Sequence, residues 1–365
     1  MVEKQRRGLA MRAAAKAGAD ALLVTHAPDV RWLTGFTGSN GAVAIAGGRA
    51  ALFTDGRYTA QARDEAPDLR VFIGKKAAAT LAIEWLIART ARRCAFDARQ
   101  TTVATFEAMR KALPKELGAA RRTFFLATEG IVARLREIKD DMEIGKLRQA
   151  ADLGCELFEG LLPHIVAGAR EIDVALELEY AARQRGADAM SFDTIVASGA
   201  RSALPHGRAT TQTLPRKGFV TLDFGVVRDG YCSDMTRTMH LGRASQEERD
   251  VYDAVLDAQE AAVAAVAPGV SCAAVDEAAR SVLHRAKLGK WFSHSTGHGV
   301  GLEIHEGPRL AAKVEQVLEP GMVITIEPGA YLPDSFGVRI EDMVLVTENG
   351  AEVLTDASPK AWMQL

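Results

Sequence analysis

The chain is poor in cysteine, has no long apolar run and carries almost no net charge. Its four cysteines, Cys94, Cys155, Cys232 and Cys272, are scattered through 365 residues with no CxxC pair. That spacing argues against a disulfide framework or a thiolate zinc site, and points to buried free thiols. No apolar segment approaches the roughly 18 residues of a membrane-spanning helix. The N-terminus, MVEKQRRGLAMRAAAKAGAD, is charged and alanine-rich. It lacks the unbroken apolar stretch of a secretory signal, so a cytoplasmic location is expected. The formal net charge of −2 supplies no global basic field, so neither nucleic acid nor an anionic membrane is an expected partner. Short-period repeats and low-complexity segments are also missing.

What is present fits a soluble globular protein: 48% apolar residues and 25% charged ones. The length suits two domains. In the first third, ALLVT (21–25), AVAIAG (42–47) and AALFTD (50–55) read as strands. AATLAIEWLIARTARR (78–93) reads as an amphipathic helix. This alternation predicts a small α/β unit. The boundary is placed near residue 125, giving domains 1–125 and 126–365. The second part opens with long helical patterns at 142–162 and 173–187. A further helix starts near 246 with a capping-box spacing, Ser245 and Glu248. Helices grouped against a mostly antiparallel sheet predict an α+β domain.

Chemistry concentrates in that second part. In LDFGVVRDGYCSDMTRT (222–238), two β-rich runs flank Arg228-Asp229-Gly230, a short-loop hairpin signal. Asp223 and Asp234 are symmetric about the point between Arg228 and Asp229. A tight hairpin would oppose them with Cβ atoms about 4.5–5.5 Å apart. Like charges so placed repel, so one is protonated or a cation lies between them. Taken alone, this hairpin also fits another register or two solvated acids. The device recurs in VITIEPGAYLPDSFGVRIEDMVLV (323–346), where Glu327 and Glu341 are symmetric about Asp334. Two such hairpins hint at an internal duplication.

Between the hairpins lies HSTGHGVGLEIHEGPR (294–309), with His294, His298 and His305 among closely spaced glycines. Those glycines disfavour a helix and allow close backbone approach to a site. His206 sits in another Gly/Pro-containing loop, ASGARSALPHGRAT. Four acids with one imidazole suit hard or borderline divalent ions. Four carboxylates would overload one ion, whereas two ions about 3.5–4 Å apart would neutralise them. The expected cofactor is therefore a pair of divalent ions such as manganese, cobalt or zinc.

At these residues the chain resembles the pita-bread metallopeptidases, which include methionine aminopeptidase, aminopeptidase P, prolidase and creatinase. LDFG…YCSDMTRT, TGHGVGLEIHE, TIEPGAY and GVRIED are similar to that superfamily's signature blocks. DVRWLTGFTGSNGA and LFTDGRYTAQA resemble the N-terminal domain of Xaa-Pro peptidases, and SFDTIVASGARSALPHG their substrate-side segment. The resemblance spans the whole chain. It implies a pita-bread catalytic domain preceded by a smaller α/β creatinase-like domain. It also implies the ligand set: Asp223 on one metal, Asp234 and Glu341 bridging both, His298 and Glu327 on the second. His206 and His305 would face the substrate as hydrogen-bond and proton-transfer groups. Arg339 would hold the acids in place, with Thr236 in a similar role. No ligand of the family pattern is replaced.

The implied substrates are short proline-containing peptides, and the implied assembly is a homodimer. The LTGFTGSNG and TDGRY blocks favour an Xaa-Pro aminopeptidase. The alternative is a dipeptide-restricted prolidase, in which Arg309 of HEGPR would meet the dipeptide carboxylate. A metal-independent hydrolase of creatinase type and a non-catalytic interaction module are the readings from other classes. The first predicts activity that survives chelation; the second predicts lost ligands.

Overall fold

The β-branched, leucine and alanine runs of the first third form strands because both faces of their sheet are covered. Every residue of β1 (Ala21–Val24) and β2 (Ala42–Ala46) is buried. With β3 (Arg49–Thr54), β4 (Arg70–Ile73), β5 (Cys94–Asp97) and β6 (Phe125–Thr128) they make one sheet of order β4-β3-β2-β1-β5-β6. β1, β2 and β3 pair antiparallel, while β4, β5 and β6 join in parallel. Parallel neighbours need crossovers, which the helices between them supply. The helix Ala78–Ile87 buries Ala78, Ala82, Ile83 and Leu86 against this sheet. It ends sooner than the sequence pattern suggested, and the chain then turns through Thr90 at φ +56°.

The computed structural model describes residues 2–365. The chain divides after Arg136 into an N-terminal unit and a second unit, Glu137–Leu365. The division lies eleven residues beyond the boundary expected near 125. β6 adds to the N-terminal sheet through β5. The short helix Ile131–Arg136 also belongs there, because Arg136 Nη1 donates to Asp29 Oδ1 at 2.7 Å with both side chains buried.

In the second unit the helix Asp141–Leu161 opens on a capping box, Asp140 with Glu143. It buries Leu147, Ala150, Ala151, Leu157, Phe158 and Leu161, the three-and-four spacing of one helical face. Each such large side chain contributes about 1.5–3 kcal/mol on burial. The helices Glu171–Gln184, Gln246–Ala264 and Cys272–Arg285 present similar stripes to the sheets. The capping box expected at Ser245 and Glu248 is formed. All four cysteines are buried thiols. No described helix is long and apolar enough to cross a membrane.

The strands of this unit are antiparallel. β7 (Ala189–Met190), β8 (Ile195–Ser198), β9 (Gly218–Phe224), β10 (Val226–Arg228), β11 (Tyr231–Cys232) and β12 (Met235–Leu241) form two three-stranded sheets, β12-β9-β8 and β11-β10-β7. β13 (Gly297–Gly299), β14 (Glu306–Leu310), β15 (Val323–Ile326), β16 (Gly329–Leu332), β17 (Phe336–Arg339), β18 (Asp342–Thr347) and β19 (Gly350–Val353) form a five-stranded sheet, β14-β13-β15-β18-β19, and the pair β16-β17.

Both long hairpins change sheet partway along. β9 and β12 lie in one sheet while their continuations, β10 and β11, lie in another. β15 and β18 give way to β16 and β17 in the same manner. The candidate acids cluster at these breaks. An antiparallel bridge between Thr236 and Glu341 joins the two hairpins.

Candidate metal centre

The first hairpin turns at Asp229-Gly230, both at positive φ (48° and 75°), as a two-residue primed turn demands. Arg228 therefore pairs with Tyr231, and Asp223 pairs with Thr236 rather than with Asp234. The expected direct opposition of the two aspartates is corrected by this register. The slip is an even number of residues, so it leaves both carboxylates on one face of the hairpin. Asp234 sits in the break between β11 and β12, its N–H donating to Met343 Sδ at 3.3 Å. Opposite it, a Cβ on Gly225 would lie 1.8 Å from the Ser233 carbonyl, so only glycine fits the break.

The second hairpin holds the register expected from its symmetry. Ile326 pairs with Asp342 and Gly329 with Arg339, which puts Glu327 level with Glu341. Each has left the ladder between them. The Glu327 N–H donates to Thr296 O, and the Glu341 N–H to Thr236 O.

These breaks, the loop before β13 and the β13–β14 connection enclose a cleft of about 840 Å³. Asp223, Asp234, His298, Glu327 and Glu341 line it, as do His206, His305, Arg309 and Arg339. All nine of these residues thus line one cavity, while Thr236 lies behind its wall, fully buried. Ligand-type atoms of Asp234, His298 and Glu341 lie within 4.8 Å of one another. His298 Nε2 is 3.4 Å from Glu327 Oε1 and 3.6 Å from Asp234 Oδ2. Asp223 stands apart from this group in one respect: its carboxylate is paired with Arg339 Nη2.

Arg339 organises the wall. Its Nε donates to Thr236 Oγ1 at 3.1 Å, and its Nη1 to Pro205 O at 3.0 Å and Tyr331 Oη at 2.8 Å. Thr236 Oγ1 passes a hydrogen bond on to Glu341 Oε2 at 2.7 Å. The Pro205 contact ties down the loop that carries His206. The rings of His298 and His305 meet edge to face, with centroids 4.4 Å apart.

One residue of the site, Tyr331, escaped the sequence reading, which named His294 but gave it no role. Tyr331 Oη lies 2.8 Å from His294 Nε2, while His294 Nδ1 lies 2.9 Å from Ser295 O. A carbonyl only accepts, so Nδ1 carries the proton and Nε2 accepts from the tyrosine. Arg339, Tyr331 and His294 form a directed relay. The available signal was spacing: His294 precedes His298 by four residues, and Tyr331 follows Glu327 by four.

The electrostatics require bound protons or a cation among these acids. Burial, then Glu341, Asp223 and Glu327, hold the Asp234 carboxyl well above the usual range. Burial, then Glu327 and Asp223, do the same to Glu341. Burial pushes Glu327 up to about 8 against the opposing pull of Arg339. Burial also depresses His298 to about 4, so its imidazole is neutral near pH 7. Its Nδ1 donates to Gly299 O at 3.0 Å, which leaves the Nε2 lone pair facing two carboxylates. A lone pair facing a carboxylate is repulsive unless a proton or a metal ion stands between them. Carboxylate oxygens with one such imidazole are the donor set of a divalent transition ion, and the orienting Nδ1–H bond is its usual accompaniment. The residues present fit a metal centre.

Comparison with known proteins agrees. Residues 145–348 match the model of metallopeptidase family M24, and residues 6–138 match the creatinase/prolidase N-terminal domain. An Xaa-Pro dipeptidase of Pyrococcus furiosus is 45% identical over 231 residues, which is 63% of this chain and 66% of that one. The structure of an Xaa-Pro dipeptidase from Bacillus anthracis superposes with a TM-score of 0.94 at 39% identity, covering 100% of both chains. That of an X-Pro aminopeptidase from Thermotoga maritima gives 0.87 at 34%, covering 97% of this chain and 100% of that one. The chain belongs to metallopeptidase family M24, with a creatinase/prolidase N-terminal domain and an α+β pita-bread domain.

Proposed function

We propose that this metallopeptidase is an Xaa-Pro dipeptidase that works with two divalent ions, manganese foremost. The observation that carries the reading is the His298 Nε2 lone pair directed at buried acids in a cleft rimmed by Arg309. Asp223, Asp234, His298, Glu327 and Glu341 would hold the ions. When bound, the ions supply Lewis acidity and lower the pKa of water toward neutrality.

The remaining roles belong to the chain's side chains. Arg309 would accept the free carboxylate of a dipeptide, a charge-assisted contact that fixes substrate length. His206 would donate to the oxygen that gains charge as the carbonyl is attacked. The prolyl nitrogen carries no hydrogen in the peptide, so it must gain a proton to leave. His305 would deliver that proton. Burial and the neighbouring His206 lower its pKa while Asp223 opposes them, so the ring is not permanently charged. Arg339 would keep Asp223 and, through Thr236, Glu341 in place.

The sequence blocks favoured an aminopeptidase, whereas the dipeptidases among the relatives favour the shorter substrate. One observation keeps the longer substrate as a second reading. A cleft of about 840 Å³ is within the range that takes drug-sized ligands, with room beyond Ala-Pro. Hydrolysis of Ala-Pro and Ala-Pro-Ala, measured side by side with Mn²⁺ and with a chelator, decides. Metal-dependent cleavage of the dipeptide alone is the expected result. Cleavage of the tripeptide would make the chain an Xaa-Pro aminopeptidase. Activity that survives chelation would remove the metal reading.

A further inference from the structure

We propose that Lys139 and Glu306 form a buried clamp that positions the segment 305–309, the start of β14 and the residue before it, which carries His305 and Arg309. Its kinetic consequence rests on the dipeptidase reading; its structural consequence does not. Glu306 directly follows His305, and Arg309 lies three residues further on. In the β13–β14 ladder His298 pairs with Arg309, yet the next pair is Gly299 with Glu306. Gly307 and Pro308 therefore bulge out of the ladder between the two candidate substrate residues. A bulge leaves residues unpaired, so contacts other than ladder hydrogen bonds must hold it.

The Glu306 carboxylate supplies that contact. Its Oε1 lies 2.9 Å from Lys139 Nζ, with the two side chains only 3% and 1% exposed. The contact is ionic rather than a well-directed hydrogen bond. The lysine end is anchored through its backbone: Lys139 N–H donates to Gly321 O at 2.9 Å, and Ile138 bridges Met322. The space for the pair is left by a glycine. A Cβ on Gly301 would come 1.9 Å from Glu306 Oε1 and 3.2 Å from Lys139 Cε. A neighbouring glycine shows the same tightness, since a Cβ on Gly307 would meet the Glu137 carboxylate at 2.2 Å.

Charge explains why a lysine is used. Glu306 lines the same cleft as the five candidate metal ligands. Unpaired, it would be a further anion beside an acid cluster that already repels itself. Paired with Lys139, its charge is neutralised. Removing one partner of a buried pair leaves an uncompensated charge, which is costly, whereas an apolar pair of similar shape is often tolerated. That asymmetry separates a clamp from mere filling.

The test uses the full chain as Lys139→Met, Lys139→Arg and Lys139→Met/Glu306→Met. Three readouts are taken: hydrogen exchange of the 299–310 backbone, bound Mn²⁺ per chain, and kcat and KM for Ala-Pro. In Lys139→Met, exchange over 301–309 should rise at least about tenfold while bound metal is unchanged. KM should rise and kcat fall together, lowering kcat/KM about twentyfold or more. A misfolded fraction would lower kcat at constant KM. Lys139→Arg should stay within about threefold of the parent. The double Met variant should recover exchange protection relative to Lys139→Met. Unchanged exchange in Lys139→Met overturns the clamp, as does lost activity that tracks lost metal, or Lys139→Arg behaving like Lys139→Met. If Lys139→Met does not fold, Glu306→Gln takes its place, with a smaller rise in exchange expected and no rise overturning the proposal. If the parent hydrolyses nothing, the dipeptidase reading falls and exchange alone decides the clamp.

Discussion

The two units each carry a cleft of similar volume and opposite charge. In the second unit about 840 Å³ is lined by the carboxylate cluster; in the N-terminal unit about 810 Å³ is lined by six Lys and Arg side chains and one acid, Asp68. The charge of the whole chain divides the same way. Residues 1–136 carry 23 basic and 12 acidic residues, a net of +11, and residues 137–365 carry 22 and 35, a net of −13. The difference lies in how the charges are built in. The acids stand on short stems at strand breaks, buried and fixed by a threonine, an arginine and an imidazole. The cations Arg12, Arg49 and Arg70 are exposed on long stems. Arg70 spreads over Phe72 at 4.7 Å and Arg89 over Trp85 at 3.7 Å, while Arg7 pairs with Asp68. Volume and charge sign alone do not make a site; burial and a fixed geometry do.

If that contrast is right, the acid cleft must be brittle. Asp234→Ala should lose activity by about 10³-fold or more and lose bound metal with it. The expectation exceeds the 10–100-fold typical of groups that only orient a ligand. Mn²⁺ content and Ala-Pro turnover check it; near-normal turnover would break the comparison at its strongest point. His305→Ala should keep its metal and lose about 10²-fold in kcat, the usual scale of general acid–base help. Metal loss in that variant would mean that His305 is a ligand. Arg309→Ala should raise KM for Ala-Pro about tenfold, since a charge-assisted bond contributes about 1.5–3 kcal/mol. Equal effects on Ala-Pro and Ala-Pro-Ala would remove its role in reading the carboxylate.

Stability against pH sharpens the contrast without any substrate. Glu327 is pushed up to about 8 by burial, so the fold prefers its neutral form. Its contribution is complete below the unfolded value of 4.5 and is lost as pH rises through about 8. His298 and His294, depressed to about 4 by burial, act oppositely: their contribution is complete above 6.5 and is lost as pH falls toward 4. Between pH 6.5 and 8 the imidazoles are therefore silent. Chelated protein should lose about 1.4 kcal/mol per pH unit for each carboxyl titrating in that window. Tm measured with a chelator should fall across it, and Mn²⁺ should abolish the fall. A flat chelated profile would mean that burial does not hold Glu327 neutral in this window.

Much of this construction was legible from residue order because turn symmetry and strand period are local. The second hairpin's register follows from its symmetry about Asp334, and Glu327 lies level with Glu341 as expected. The first was displaced because the turn belongs to Asp229-Gly230, whose positive φ values suit a primed turn better than Arg228-Asp229. The face survived the slip because it was even. What stayed hidden was long-range. Tyr331 gains its meaning from Arg339 and His294, on other elements. The boundary at Arg136 depends on a buried partner, Asp29, 107 residues away. β6 is only partly buried and shows no alternation that would announce a strand. The charge division vanished into a whole-chain sum of −2.

The smallest expected effect tests the other side of the comparison. Arg12→Ala and Arg49→Ala, singly and together, should leave kcat/KM for Ala-Pro and bound Mn²⁺ unchanged. They should shift stability by no more than about 0.5 kcal/mol, the scale of exposed substitutions away from caps, cores and buried pairs. Exposed charges gain little from their neighbours because water and salt screen them. Removing cations from a unit of net +11 should, if anything, relieve repulsion and raise Tm slightly, more so at low ionic strength. A drop of several degrees would show that these arginines hold a partner or one another in a fixed arrangement. The basic cleft would then be as deliberately built as the acidic one.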